Sequence, residues 1–411
     1  MSFLPASPPK PKPLIQPAKS PKVEVPKAAQ VRAPVVAPEP TVPTEIIEWT
    51  SLGLSTELTD LLLTRGYKNP TPVQARSIPR AVDGKDLIVS AQTGTGKTLA
   101  FALPLLDLVF GRQGTCALVL APTREIALQT HKVLVELGEP FQIHSVALIG
   151  GTPLRLDEIE LKKYPQIIVS TPGRICDHLD RGNIWLEHLE VLVLDEADRM
   201  LEMGFSEQLN RILRDMPESR QTMMFSATLS PIIEKLAQKI LYQPERIELD
   251  KGSKSAKTVE QSFVYINEED KVRELRHLLH EEKGTVFVFA RSKDVTARLW
   301  RTLRNQGFHE ATQLHSGLTQ QAREQALLDF KEGRYRVLIA TDVVGRGIHV
   351  DEVAHVINFD LPRDADDYIH RIGRTGRANS TGKATTFVTP RDELTLKKIK
   401  AVVGNQTRFK A

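Results

Sequence analysis

The chain has 411 residues, 41% of them hydrophobic, with 55 Lys and Arg against 51 Asp and Glu and a formal net charge of +4. That length suits two domains that each bury a core, and no apolar run approaches the roughly 20 residues of a bilayer-spanning helix, so a membrane-spanning helix is excluded. Two cysteines, Cys116 and Cys176, exclude a disulfide scaffold and read as buried small hydrophobes in a reducing compartment.

Residues 1–45 hold 12 of the 26 prolines, with six Lys or Arg and three Glu. This segment cannot bury a core and reads as an extended, disordered tail, partly polyproline II. A solvated tail, a ligand for a protein partner and an electrostatic grip on RNA are its three readings. The start, Met1 to Pro5, has neither a basic nor an apolar stretch, so no secretory signal is expected. Outside the tail 49 basic residues face 48 acidic ones, so any nucleic-acid surface must be a local patch.

From residue 46 short apolar runs alternate with helical patterns. The runs Asp86–Ala91, Cys116–Ala121, His144–Ile149, Gln166–Ser170, Glu190–Asp195 and Thr222–Ser226 predict a parallel sheet covered on both faces. The polar stretch Asp250 to Thr258 reads as a flexible linker. A second series follows: Gln261–Ile266, Thr285–Ala290, Tyr335–Thr341, Ala354–Phe359 and Ala384–Val388. The expectation is an α/β chain of two similar domains, 46–250 and 259–411, joined by a linker at 251–258.

Within the first series, Ala91, Gln92, Thr93, Gly94, Thr95, Gly96, Lys97 and Thr98 form a glycine-rich turn between a strand and an apolar helix. The strict phosphate-loop pattern begins with glycine, and here Ala91 stands instead. Two glycines still permit the tight turn, and backbone N–H groups at a helix start suit phosphate. Lys97 would neutralise phosphate, and the Thr98 hydroxyl would ligate Mg²⁺. Asp195 and Glu196 leave the fifth of these runs, at the sheet edge where ligands bind. Asp195 would help hold Mg²⁺ and Glu196 would orient the attacking water. In the second half Arg374 and Arg377, three apart, are expected on one face of a helical turn, able to reach a γ-phosphate only if two domains close.

These residues together resemble the DEAD-box RNA helicases of superfamily two, over roughly residues 49–390. The resemblance implies two RecA-like domains that close on ATP and single-stranded RNA. Gly66-Tyr67 through Thr71-Pro72-Val-Gln74 resembles the adenine-reading motif, with Gln74 pairing to the base, Tyr67 lining the site and Trp49 offering an apolar face. Pro122, Thr123 and Arg124, then Gly151, then Thr171, Pro172, Gly173 and Arg174 resemble the first domain's RNA-backbone motifs. Arg291, Gln320 with Arg323, and Thr341 resemble those of the second. Asp198, Ser226, Thr228 and His370 resemble the set that couples hydrolysis to RNA, with Asp198 bonded to the Ser226–Thr228 segment. Gly347 and His349 fall in the motif facing the nucleotide. The family usually has Asp where His349 stands, so the ribose contact is expected to be weaker, with Asp351 covering it in part.

The implied activity is an RNA-dependent ATPase that uses ATP and Mg²⁺ to open short RNA duplexes or remodel RNA–protein complexes. A cytoplasmic monomer with no membrane partner and no appended RNA-recognition domain is expected. Three other readings share the motifs: an RNA clamp that does not unwind, a DNA-translocating ATPase, and a silent scaffold.

Overall fold

The structure, a computed structural model, describes residues 47–92, 94–249, 259–342, 353–376, 382–403 and 408–410. The expected tail at 1–45 and linker at 251–258 lie outside the described residues, as do Thr93, Gly347, His349, Asp351 and Arg377.

Two seven-stranded, all-parallel sheets form the two domains. The first contains β1 (Leu87–Ser90), β2 (Ala117–Leu120), β3 (Ser145–Leu148), β4 (Ile167–Ser170), β5 (Val191–Leu194), β6 (Gln221–Ser226) and β7 (Glu245–Glu248), in the order β3-β4-β2-β5-β6-β1-β7. The second contains β8 (Val259–Tyr265), β9 (Val286–Phe289), β10 (Ala311–Leu314), β11 (Val337–Ala340), β12 (His355–Asn358), β13 (Gly382–Val388) and β14 (Arg408–Lys410), ordered β10-β11-β9-β12-β13-β8-β14.

Strand side chains alternate between faces, and here both faces are apolar. Leu87 and Val89 join one buried cluster while Ile88 joins another across the sheet. Phe287 and Phe289 stack on each other, with centroids 4.4 Å apart, on one face of the second sheet, and Val286 and Val288 pack on the other. Helices cover both faces, which explains why these strands read as continuous apolar runs. Among the described residues no helix is long and apolar enough to cross a membrane.

Each predicted run falls on a strand. Three strands have no counterpart among them. β7, β10 and β14 all lie at sheet edges and carry polar residues: Glu-Arg-Ile-Glu, Ala-Thr-Gln-Leu and Arg-Phe-Lys. An edge strand has only one neighbour and tolerates a polar pattern that gives no apolar signal.

The strand orders position the chemistry. In the first sheet β5, β6 and β1 are neighbours. Their carboxyl ends therefore set the segments 195–198, 226–228 and 91–98 side by side. In the second sheet β11, β9 and β12 are neighbours, which gathers Asp342, Arg291 and Asp360 at one edge.

Candidate functional site

The phosphate loop leaves β1 and turns on Gly94 (φ +82°) and Gly96 (φ +95°), conformations that side chains beyond glycine rarely adopt. Gly96 caps the helix Lys97–Val109, so that helix's first N–H groups face the loop. The Lys97 ammonium is buried and donates to the Ala91 carbonyl at 2.8 Å, and Thr95 Oγ1 donates to the Gln92 carbonyl at 2.8 Å. Thr98 is half-buried at the second helical position. Ala91 fits where the strict pattern has glycine because it is buried, its N–H bonded to the Ser226 carbonyl at 3.1 Å.

Gln74 braces this loop. It lies in the helix Pro72–Val82, where it closes a capping box with Thr71. Its Oε1 accepts from the Thr71 N–H at 2.7 Å, and its Nε2 donates to the Gly96 carbonyl at 3.0 Å. An amide has two hydrogens and two acceptor sites, so one donor and one acceptor remain. Trp49 corrects an expectation. It is only 2% exposed and its indole N–H donates to the Tyr67 carbonyl at 2.8 Å, so it props the Tyr67 segment from the core and has no face left for a base. Tyr67 is half-buried against the same core.

Asp195 and Glu196 follow β5. Burial, then the adjacent Glu196 carboxylate, pushes the Asp195 carboxyl up to about 7, against the pull of Lys97. Glu196 sits at φ +49°, a strained backbone for a side-chain-bearing residue. Asp198 bonds the turn after β6: its Oδ2 accepts from the N–H groups of Ala227 and Thr228, each at 3.0 Å, and from Thr228 Oγ1 at 3.3 Å. Ser226 Oγ donates to the Thr228 carbonyl at 2.7 Å, which closes the turn. His370 is half-buried on the last turn of the helix Ala365–Ile372. That helix ends at Gly373, so Arg374 stands in a turn. The reason is local: Gly373 caps the helix, and Gly376 turns the chain with φ +71°. Arg374 itself is buried.

The sequence-predicted RNA residues divide. Pro122 and Thr123 are buried, with Thr123 capping the helix Arg124–Gly138. Arg124 lies across Gly150 and Gly151; a Cβ on Gly151 would come within 2.2 Å of its guanidinium. Thr171 and Pro172 begin the helix Pro172–Asp180, and Gly173 has open space above it. Arg291 is exposed, its N–H bonded to Asp360 Oδ2 at 3.0 Å. Gln320 and Thr341 are buried, and Gln320 Nε2 donates to Glu324 at 3.0 Å.

Two arginines depart from the expectation of an RNA contact. Arg174 is buried; its Nε donates to Asp157 Oδ2 at 2.7 Å and its Nη2 to the Thr152 carbonyl at 2.8 Å. His178 Nε2 lies 3.0 Å from the same Asp157 oxygen. Arg323 is buried and pairs with Glu125 at 2.5 Å, joining the second domain to the first. A buried guanidinium requires a fixed counter-charge, and each has found one in protein instead of phosphate.

Sequence reasoning passed over Asp157, His178 and Arg199. Arg199 stands three residues after Glu196 on a helical turn, a spacing that places both on one side. Its Nη1 lies 3.4 Å from Glu196 Oε2, and its Nη2 donates to the Asp342 carbonyl of the second domain at 2.9 Å. Asp342 in turn takes Arg371 in a two-pronged pair, 2.6 and 2.7 Å. Nothing in the sequence near Asp157 signals its role.

A glycine-turn phosphate cradle beside a buried acidic pair, on one of two like parallel sheets, defines a nucleotide-site protein of the two-domain RecA-like class. Comparison with known proteins narrows this. The DEAD/DEAH box helicase profile matches residues 71–236, and the helicase conserved C-terminal domain matches residues 270–379. The DEAD-box ATP-dependent RNA helicase CshA of Bacillus cereus is 43% identical over 350 residues, 85% of this chain and 66% of that protein. The chain thus spans about two thirds of that relative's length. Among solved structures, S. cerevisiae Dbp5 bound to RNA and ADP BeF3 is 33% identical with a TM-score of 0.78, covering 88% of this chain and 95% of that one. Mss116p bound to ssRNA and AMP-PNP is 27% identical with a TM-score of 0.80, covering 90% and 80%. The chain belongs to the DEAD-box helicase family.

Proposed function

We propose that the chain is an RNA-dependent ATPase that opens short RNA duplexes, or remodels RNA–protein complexes, by closing two domains on single-stranded RNA. The observation that carries this reading is the environment of residues 195–199. This acidic segment bonds the Ser226–Thr228 turn through Asp198 and the second domain through Arg199, so hydrolytic residues and domain contact are one connected unit.

In this reading ATP sits on the phosphate loop. The loop N–H groups and Lys97 take its phosphates, with Lys97 exchanging the Ala91 carbonyl for phosphate oxygen. The free donor and acceptor of Gln74 read adenine. Two adjacent carboxylates in a buried site, one with its proton affinity raised, suit a divalent cation beside the Thr98 hydroxyl. When bound, Mg²⁺ would neutralise phosphate charge there, held by Thr98 and Asp195. Glu196 orients the attacking water. Arg374, with Arg377, stabilises charge on the transferring phosphoryl group. RNA lies along Arg124, Gly151, the Thr171–Gly173 helix start, Arg291 and Thr341, by backbone contacts that read no sequence. Arg174 and Arg323 act behind that surface: one fixes the Gly151 loop and the other fastens the domains.

ATP turnover measured without nucleic acid, with single-stranded RNA and with single-stranded DNA tests the reading, with Glu196→Gln as control. Stimulation by RNA alone, lost in the variant while ATP binding persists, is the expected result. Equal stimulation by DNA, or high turnover without nucleic acid, would overturn it.

A further inference from the structure

Three charged side chains and one backbone carbonyl meet where the domains touch. Glu125 and Arg199 come from the first domain, and Arg323 and the Asp342 carbonyl from the second. In the docked arrangement Arg323 occupies Glu125, and the carbonyl occupies one arm of Arg199. The other arm lies against Glu196. Arg199 and Glu125 are both buried; burial pushes the Glu125 carboxyl up, and Arg323, Arg124 and Arg199 each pull against it. The Asp342 carbonyl is held firmly in place. Its own carboxylate clamps Arg371, which is further fixed by Asn358 Oδ1 at 3.1 Å and by the Asp360 carbonyl at 2.7 Å.

Separation of the domains would remove both partners at once. Glu125 would lose Arg323, and Arg199 would lose the Asp342 carbonyl. A buried carboxylate and a buried guanidinium, carried just past the carboxyl ends of the adjacent strands β2 and β5, would then favour each other. Pairing with Glu125 would draw the guanidinium off Glu196, which already carries backbone strain.

We infer that Arg199 is a positioning residue that exchanges partners on domain closure, from Glu125 in the open form to Glu196 and the Asp342 carbonyl in the closed form. Glu196 is thereby fixed in its working orientation only when the second domain is docked. Arginine suits the task because its fork serves two acceptors at once, whereas a lysine ammonium offers one point charge. The inference rests on the reading of Glu196 as the water-orienting carboxylate.

The test uses the full chain with Arg199→Lys and Arg199→Gln, beside wild type and Glu196→Gln. Four quantities are read: turnover at saturating ATP and RNA, affinity for a fluorescent ATP analogue without RNA, melting temperature, and closed fraction from a fluorophore pair spanning the domains, with AMP-PNP and single-stranded RNA. Both Arg199 variants are expected to lose about tenfold or more in kcat, the scale of a hydrogen bond to a charged group. They should close less completely, while RNA-free ATP affinity stays within about twofold. Arg199→Lys keeps a buried cation for Glu125 and so preserves the fold if Arg199→Gln does not. Wild-type kcat, a kcat loss with undiminished closure, or a loss confined to RNA-free ATP affinity would each overturn the inference. Its parent reading fails separately, if Glu196→Gln itself turns over ATP normally.

Discussion

Removal of the Asp157 carboxylate should damage the first domain more than its distance from the phosphate loop suggests. One oxygen, Oδ2, accepts from Arg174 Nε at 2.7 Å and faces His178 Nε2 at 3.0 Å. Both partners are buried, and Asn183 Nδ2 closes the other side of the His178 ring at 3.2 Å. Asp157→Ala leaves the Arg174 guanidinium without a counter-charge, a change that costs about 3–5 kcal/mol when one half of a buried pair is lost. For a domain of this size that corresponds to a melting shift of about 6–20 °C. The damage should reach RNA binding, because Arg174 also holds the Thr152 carbonyl beside Gly151. The assay is a double-mutant cycle by thermal and urea unfolding, with Asp157→Leu, Arg174→Leu and the pair. The double variant should be less destabilised than the sum of the singles by about 2 kcal/mol or more, since no charge remains buried alone. Additive losses, or an Asp157→Leu cost below about 1 kcal/mol, would refute the reasoning.

Gly96→Ala places a Cβ 2.5 Å from Gln74 Nε2 at φ +95°. It should weaken ATP binding by about tenfold or more, as read by titration with a fluorescent nucleotide. Gly151→Ala forces the Arg124 guanidinium from its seat and should raise the RNA concentration for half-maximal stimulation, with KM for ATP unchanged. In the second domain, burial lowers the His355 imidazole to about 3, so the native state holds it neutral. An unfolded chain binds that proton below about pH 6.5, so stability is complete above that value and falls with pH toward 3, by up to about 1.4 kcal/mol per unit. Urea unfolding between pH 7.5 and 5 should show a flatter acid limb for the second domain's transition in His355→Gln than in wild type.

The phosphate loop and the acid segment were legible because their residue types sit at fixed offsets from apolar strands. Adjacency of β5, β6 and β1 was not, since strand order depends on crossovers and not on local pattern. Arg174 and Arg323 show a further boundary. A motif letter identifies a guanidinium but not whether it faces solvent or a buried carboxylate elsewhere in the chain. Their partners, Asp157 and Glu125, are 17 and 198 positions away in sequence. Trp49 misled for a related reason: aromaticity suggested a base platform, while packing turned the ring into the core. Arg374 was assigned a helical neighbourhood from spacing alone, although Gly373 and Gly376 flank the turn and argue against a helix there.

If Gln74 reads the base as proposed, its bond to the Gly96 carbonyl makes base recognition and the phosphate turn a single mechanical part. A nucleotide with another base that engaged Gln74 badly would pull on that carbonyl and leave the turn out of shape around the phosphates. Discrimination among purines and pyrimidines would then show itself as slow turnover of nucleotides that bind well enough. Such a filter holds even where competing nucleotides are abundant, because occupancy by the wrong one does not set the machine in motion.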